Sequence, residues 1–152
     1  MKIRPFWRRF TRLPIQIFML MMAAMIVSIS SPQIAHATSN YNYQPHEYIA
    51  IVNGRSPDGN YLISAHGDGE LGYDNFHLYL MDGITGKPIG PLEEIKDTLD
   101  TSADAFHAHW SRDSHQVAIT YRFDRRVLFK MHYRIDHRRA YPLGIPTQAY
   151  EF

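Results

Sequence analysis

The chain has 152 residues, the length of one domain, and its 45% hydrophobic and 20% charged content excludes both disorder and collagen-like structure. It holds no cysteine, which excludes disulfide scaffolds, thiolate zinc sites, cysteine nucleophiles and a lipid-modified N-terminal cysteine. The formal net charge of +1 hides an uneven spread: Lys2, Arg4, Arg8, Arg9 and Arg12 come before Ala37 with no acid among them, and the remainder carries 11 basic and 15 acidic residues. A dedicated nucleic-acid binder has the opposite balance.

The first element is an export signal. After the basic stretch, an apolar run extends from Ile15 to Ile29, broken only by Gln16 and Ser28. As a helix its 15 residues would span about 22 Å, short of the ~30 Å hydrocarbon core of a bilayer. Ser30, Ser31 and Pro32 end the run, and Ala35-His36-Ala37 offers the small residues that a signal peptidase accepts. The spacing predicts a secretory signal peptide over 1–37 and a mature chain beginning at Thr38. The competing reading is an uncleaved anchor. An exported chain without cysteine suits a bacterial periplasm, where disulfides are permitted but not required.

A polar lead-in, expected to be flexible, covers 38–46 and includes Tyr41, Tyr43 and Pro45. A β domain is expected over 47–143, followed by a C-terminal tail over 144–152. Strand candidates in chain order are Tyr48–Val52, Asn60–Ala65, Phe76–Met81 and Pro88–Leu92, separated by Pro57-Asp58-Gly59, a glycine-rich loop from Gly67 to Gly72, and Asp82-Gly83. Leu92–Ala105 is acidic and reads as a loop or one short helical turn. A strand through His107 and His109 follows. Period two is then clean in Val117, Ile119, Tyr121 and Phe123, and again in Val127, Phe129, Met131, Tyr133 and Ile135, with a hairpin turn at Asp124-Arg125. A last strand is expected near Arg139–Leu143.

At an offset of 55 the chain repeats: Ser56-Pro57-Asp58-Gly59 falls on Ser111-Arg112-Asp113-Ser114, and Leu62 on Val117. With the offset shortened by one, Asp82 meets Asp136. Each copy reads as a four-stranded antiparallel meander, and repeats of this length point to propeller-type units. "SPDGNYLIS" at 56–64, "LYLMDGITGKPI" at 78–89 and "HWSRDSHQVAITY" at 109–121 resemble the blade signature of TolB-like and WD-repeat β-propellers. The resemblance spans roughly 47–143 and implies an all-β fold of two four-stranded propeller-type blades, with Trp110 as an aromatic anchor before the second turn. A closed propeller has about four to eight blades, so the resemblance implies neither ring closure nor a central-channel site. Blade architecture carries no function with it.

Candidate sites are few. Asp58 and Asp113 are expected to cap their own turns. His107 and His109, two apart on a strand, share one face and can approach one metal ion, with His66, His77 or Asp104 as possible third donors. Two imidazoles fall short of the four ligands, or three plus water, that zinc takes. If that face stays simply solvated, Phe106, Ala108 and Trp110 form the core side. The loop bearing His66, Asp68, Glu70, Tyr73 and Asp74 holds oxygen donors but lacks an acid at the twelfth position from Asp68, as a calcium loop requires. As a long loop on a rigid sheet it is the first choice for recognition.

No G-x-S-x-G, H-E-x-x-H or phosphate-binding glycine loop is present. The sequence thus points to an exported, non-catalytic β-module that binds another protein or itself as a homodimer. It implies no cofactor, no nucleic acid, and membrane contact only through the signal segment. The alternative is a small periplasmic metal- or ligand-binding protein using the His107/His109 face or the 66–75 loop. The acidic first half and basic second half (12 acids against four bases over 38–113, then three against seven) favour self-association, expected through open edges at Tyr48–Val52 and Arg139–Leu143.

Overall fold

The computed structural model describes residues 37–151; the expected signal segment up to His36 lies outside the described residues. The described chain is all-β, and none of its helices is long and apolar enough to cross a membrane. Its strands are β1 (Ile49–Arg55), β2 (Tyr61–Asp68), β3 (Asp74–Asp82), β4 (Pro88–Pro91), β5 (His107–Trp110), β6 (Gln116–Arg122), β7 (Val127–Asp136), β8 (Arg139–Pro142) and β9 (Thr147–Glu151). They join in one sheet in the order β4-β3-β2-β1-β5-β6-β7-β8, with β9 also on β7. The result is two four-stranded antiparallel meanders, β1–β4 and β5–β8, joined where β1 runs parallel to β5.

Both meanders start with the same turn. Ser56 Oγ donates to Asp58 at 2.6 Å and accepts the Tyr61 amide at 3.0 Å. Ser111 Oγ donates to Asp113 at 2.6 Å and accepts the Gln116 amide at 2.9 Å. The third residue after each serine, Gly59 or Ser114, takes a left-handed φ of 76° or 62°. The 55-residue offset is therefore a real backbone correspondence at the turn.

It does not persist into the third strands. Tyr61 pairs with Asp82, but its counterpart Gln116 pairs with Arg134, so Asp136 lies two residues beyond the position matching Asp82. The reason is turn chemistry. Asp82 accepts the amides of Ile84 and Thr85 and closes a wider turn, whereas Asp136 pairs directly with Arg139 across a two-residue turn, His137-Arg138.

One core lies between the meanders. Ile51, Ile63, Ala65, Leu78 and Leu80 from the first meet Phe106, Ala108, Val117, Ile119, Tyr121, Met131, Tyr133 and Ile135 from the second. The β4–β5 connection adds Leu92, Ile95 and Ala103. Its helical content is one 3-10 turn, Ala103–Ala105.

Two expectations need correction. The first strand is not an open edge: β1 lies between β2 and β5, with the Val52 amide donating to the Phe106 carbonyl at 3.1 Å. The C-terminal tail from Gly144 contributes a strand of its own. Its β9 pairs with Val127–Lys130 of β7, beyond the stretch Tyr133–Asp136 that β8 covers. Among the described residues the sheet edges are thus β4 on one side and β8 with β9 on the other. The lead-in is packed rather than flexible. Tyr43 is buried and donates its hydroxyl to the Thr101 carbonyl at 2.6 Å, and the Ser39 amide donates to Asp100 at 2.7 Å. Burying an aromatic ring and satisfying backbone groups outweighs the polar composition that suggested mobility.

Candidate functional site

The loop between β2 and β3 and the lead-in form one structure. Glycine is required where they meet: a Cβ on Gly72 (φ +69) would lie 2.6 Å from the Tyr41 carbonyl oxygen and 2.9 Å from the Tyr43 ring. At Gly67 it would fall 2.1 Å from the Gly72 carbonyl oxygen. The Leu71 amide donates to Asn42 Oδ1 at 2.6 Å, Thr101 Oγ1 donates to the Leu71 carbonyl, and the Tyr73 hydroxyl donates to Asn40 at 3.2 Å. These bonds hold Leu71 in the left-handed region at φ 57°, a conformation that costs roughly 1–3 kcal/mol in a non-glycine residue.

The product is a rigid ridge of exposed apolar groups: Tyr41 (37%), Leu71 (40%) and Tyr73 (49%). Tyr41 also stands edge-on to the buried Tyr43 ring at 4.9 Å, which ties the ridge to the core. Of the five residues expected in this recognition loop, Asp68, Glu70, Tyr73 and Asp74 are exposed. His66 is not part of the tip. Its Nδ1 donates to the Glu47 carbonyl at 2.6 Å and its ring lies between Tyr43 and Tyr48, so it is a structural histidine. Tyr41 and Leu71 escaped the sequence reading; the aromatic alternation Tyr41-Asn42-Tyr43 was the available signal.

His107 and His109 do share an exposed face, opposite the buried Ala108, as the strand phase requires. The register puts His132 on that face too, across Ala118 from His109. Among the described residues no group of three or more histidines, aspartates or glutamates is placed to hold a metal ion. His66 and His77 face each other on the first meander instead.

Ser64, His66 and Asp68 follow one another on one face of β2, but no nucleophile is assembled there. Among the described residues the buried Ser64 hydroxyl has no hydrogen-bond partner, and the His66 Nδ1 bond goes to the Glu47 carbonyl. Asp58 and Asp113 are occupied by their turns, and the hydroxyls of Ser56 and Ser111 hold both carboxyls below the usual carboxylate range.

Asp82 is a third fixed acid. The amides of Thr85 and Ile84, together with Arg138 Nη1 at 2.8 Å, push its pKa well down. This pair links the β3–β4 turn to the β7–β8 turn and so ties the two meanders together. Because the folded pKa is depressed, the stabilisation is complete above the unfolded value of about 3.9 and is lost as pH falls through the lower folded value. Asp82→Asn is expected to flatten the fall in melting temperature below about pH 4. A melting series from pH 2 to 6 checks this, and an unchanged slope would contradict the clamp.

Compared with protein-family models, curated proteins and solved structures, the chain finds no match. The functional reading therefore rests on its own geometry.

Proposed function

We propose that the chain is an exported, non-catalytic β-module that binds another protein through the Tyr41–Leu71–Tyr73 ridge. The observation that carries this is the cost of the ridge. The apolar side chains of Leu71 and Tyr73 are held in solvent, Leu71 on a strained backbone, by side chains of the lead-in, and neither belongs to the core. Strain kept by surrounding structure concentrates at binding sites, and aromatic groups held rigid lose little entropy on contact. The flanking carboxylates Asp68, Glu70 and Asp74 favour a partner with a basic rim.

The test is a double replacement, Leu71→Ser with Tyr73→Ser. Retention of envelope proteins on the immobilised variant is expected to fall several-fold while its melting temperature holds or rises, since both side chains are exposed. Undiminished retention would remove the ridge from the function.

Export belongs to the same proposal. Ala37 and Thr38, the two residues that flank the expected cleavage bond, are both exposed. N-terminal sequencing of protein recovered from the cell envelope is expected to read Thr38 first; Met1 would overturn the cleavage. Propeller-type kinship of the two meanders is a further part of the proposal. It is supported by the matching serine–aspartate turns.

A further inference from the structure

The two meanders carry the same turn yet bury opposite faces. The serine rings make Tyr61 the counterpart of Gln116, so Leu62, Ser64 and His66 correspond to Val117, Ile119 and Tyr121. The latter three are core residues. The former three point away from the core, which β2 meets through Ile63 and Ala65. The core thus joins unlike faces of two similar units, and the two faces left outside are also unlike.

Their chemistry differs in a complementary way. Cross-strand partners share a face, so the outer side of β5–β8 carries the rows His107–Thr120–Lys130, His109–Ala118–His132 and Gln116–Arg134–Tyr141. No carboxylate stands in these rows, and the Arg134 guanidinium lies 5.5 Å from the Tyr141 ring centre. The outer side of β1–β4 is aromatic and acidic. Tyr48 packs on His66 at 4.7 Å and on Tyr79 at 5.1 Å. Beside them stand Asp68, 3.7 Å from His66, and Glu93, 3.4 Å from His77, both with more than half of the side chain exposed (56% and 62%). Ser64 and Met81 lie buried on this same side, outside the main core.

We propose that these faces meet in a second copy of the chain: the basic, imidazole-bearing face of β5–β8 docks on the aromatic, acidic face of β1–β4 of the next molecule. The contact repeats between molecules the unlike-face packing already present within one. Such a contact is head-to-tail, and it closes into a ring when the rotation per molecule allows. Half-buried tyrosines beside charged groups suit an interface whose strength depends on salt. The surface shares Asp68 with the flank of the ridge but contains none of Tyr41, Leu71 and Tyr73, and Leu71→Ser with Tyr73→Ser leaves its charges unchanged, so either reading can fail without the other.

The cysteine-free chain gives a direct test. Ala50→Cys labels the exposed outer side of β1, and His109→Cys labels the outer side of β5. A short bismaleimide added to an equimolar mixture in low salt is expected to yield a dimer linking one variant to the other, with little product from either alone. Sedimentation of the cysteine-free protein is expected to show association that weakens from low to high salt. Lys130→Glu with Arg134→Glu should abolish that association, and mixing with Asp68→Lys and Glu93→Lys should restore it. Melting temperatures near that of the parent protein check that each variant folds. Three results would each overturn the proposal: a strict monomer in low salt, efficient cross-linking of the His109→Cys variant to itself, or charge reversal without effect.

Discussion

Phe106→Ala is expected to destabilise the protein by about 3–5 kcal/mol, the range for deleting a fully buried large aromatic side chain. Phe106 is 1% exposed and packs against Phe76 at 5.6 Å and Tyr121 at 6.3 Å, one ring from each meander. Its carbonyl also accepts the Val52 amide, so the cavity would open at the seam where β1 meets β5. With roughly 4 °C lost per kcal/mol in a domain near this size, the melting temperature should fall by about 12–20 °C. Trp110→Ala should cost less. Trp110 is only half-buried, and its indole N–H donates to the Gly54 carbonyl at 3.1 Å on the margin of the core. Parallel thermal melts of the two variants check the order, and a larger loss for Trp110→Ala would contradict the seam assignment.

Asp100→Ala is the second large expected effect. Arg122 donates Nε–H to Oδ2 at 2.7 Å and Nη2–H to Oδ1 at 2.6 Å, and the Ser39 amide adds a third bond to Oδ1. The carboxylate side chain is 1% exposed and that of Arg122 14%. Removing one member of a buried pair leaves the other charge desolvated, which costs roughly 3–5 kcal/mol. The loss should be local as well as global. The Thr101 and Ser102 amides both donate to the Ser39 carbonyl, so their hydrogen exchange is expected to accelerate in Asp100→Ala. Since Thr101 also holds Leu71, the same variant should weaken partner retention by the ridge although it alters no ridge residue. Unchanged exchange at Thr101 would show that the lead-in is held by other means.

Asp100 also marks where sequence reading stopped. Nothing in the local pattern of Leu92–Ala105 distinguishes Asp100 from Glu93, Glu94 or Asp97. Only its placement opposite Arg122 makes it the anchor of the lead-in, across 22 residues of chain. For the same reason the lead-in read as flexible, because its partners Leu71, Asp100 and Thr101 stand 29 to 61 residues away along the chain. The connection between β2 and β3 was legible as a loop, through its glycines, but its exposed ridge was not. Leu71 is apolar and would be assigned to the interior by composition; its backbone bonds hold it outside.

What the sequence by itself determined is the part governed by short-range chemistry. Period-two alternation gave β6, β7 and the phase of His107, Ala108 and His109. The serine–aspartate turns repeated with the same hydrogen bonds in both copies, and turn residues set the meander boundaries within a few positions. What only the tertiary structure decided is which edges and faces remain free. Edge status depends on what lies beside a strand, and the parallel junction of β1 with β5 joins residues 55 apart, Val52 and His107, with no local signal to announce it. The return of β9 to β7 has the same origin: a five-residue strand with little alternation is stabilised by the open backbone groups it meets, and those belong to another part of the chain.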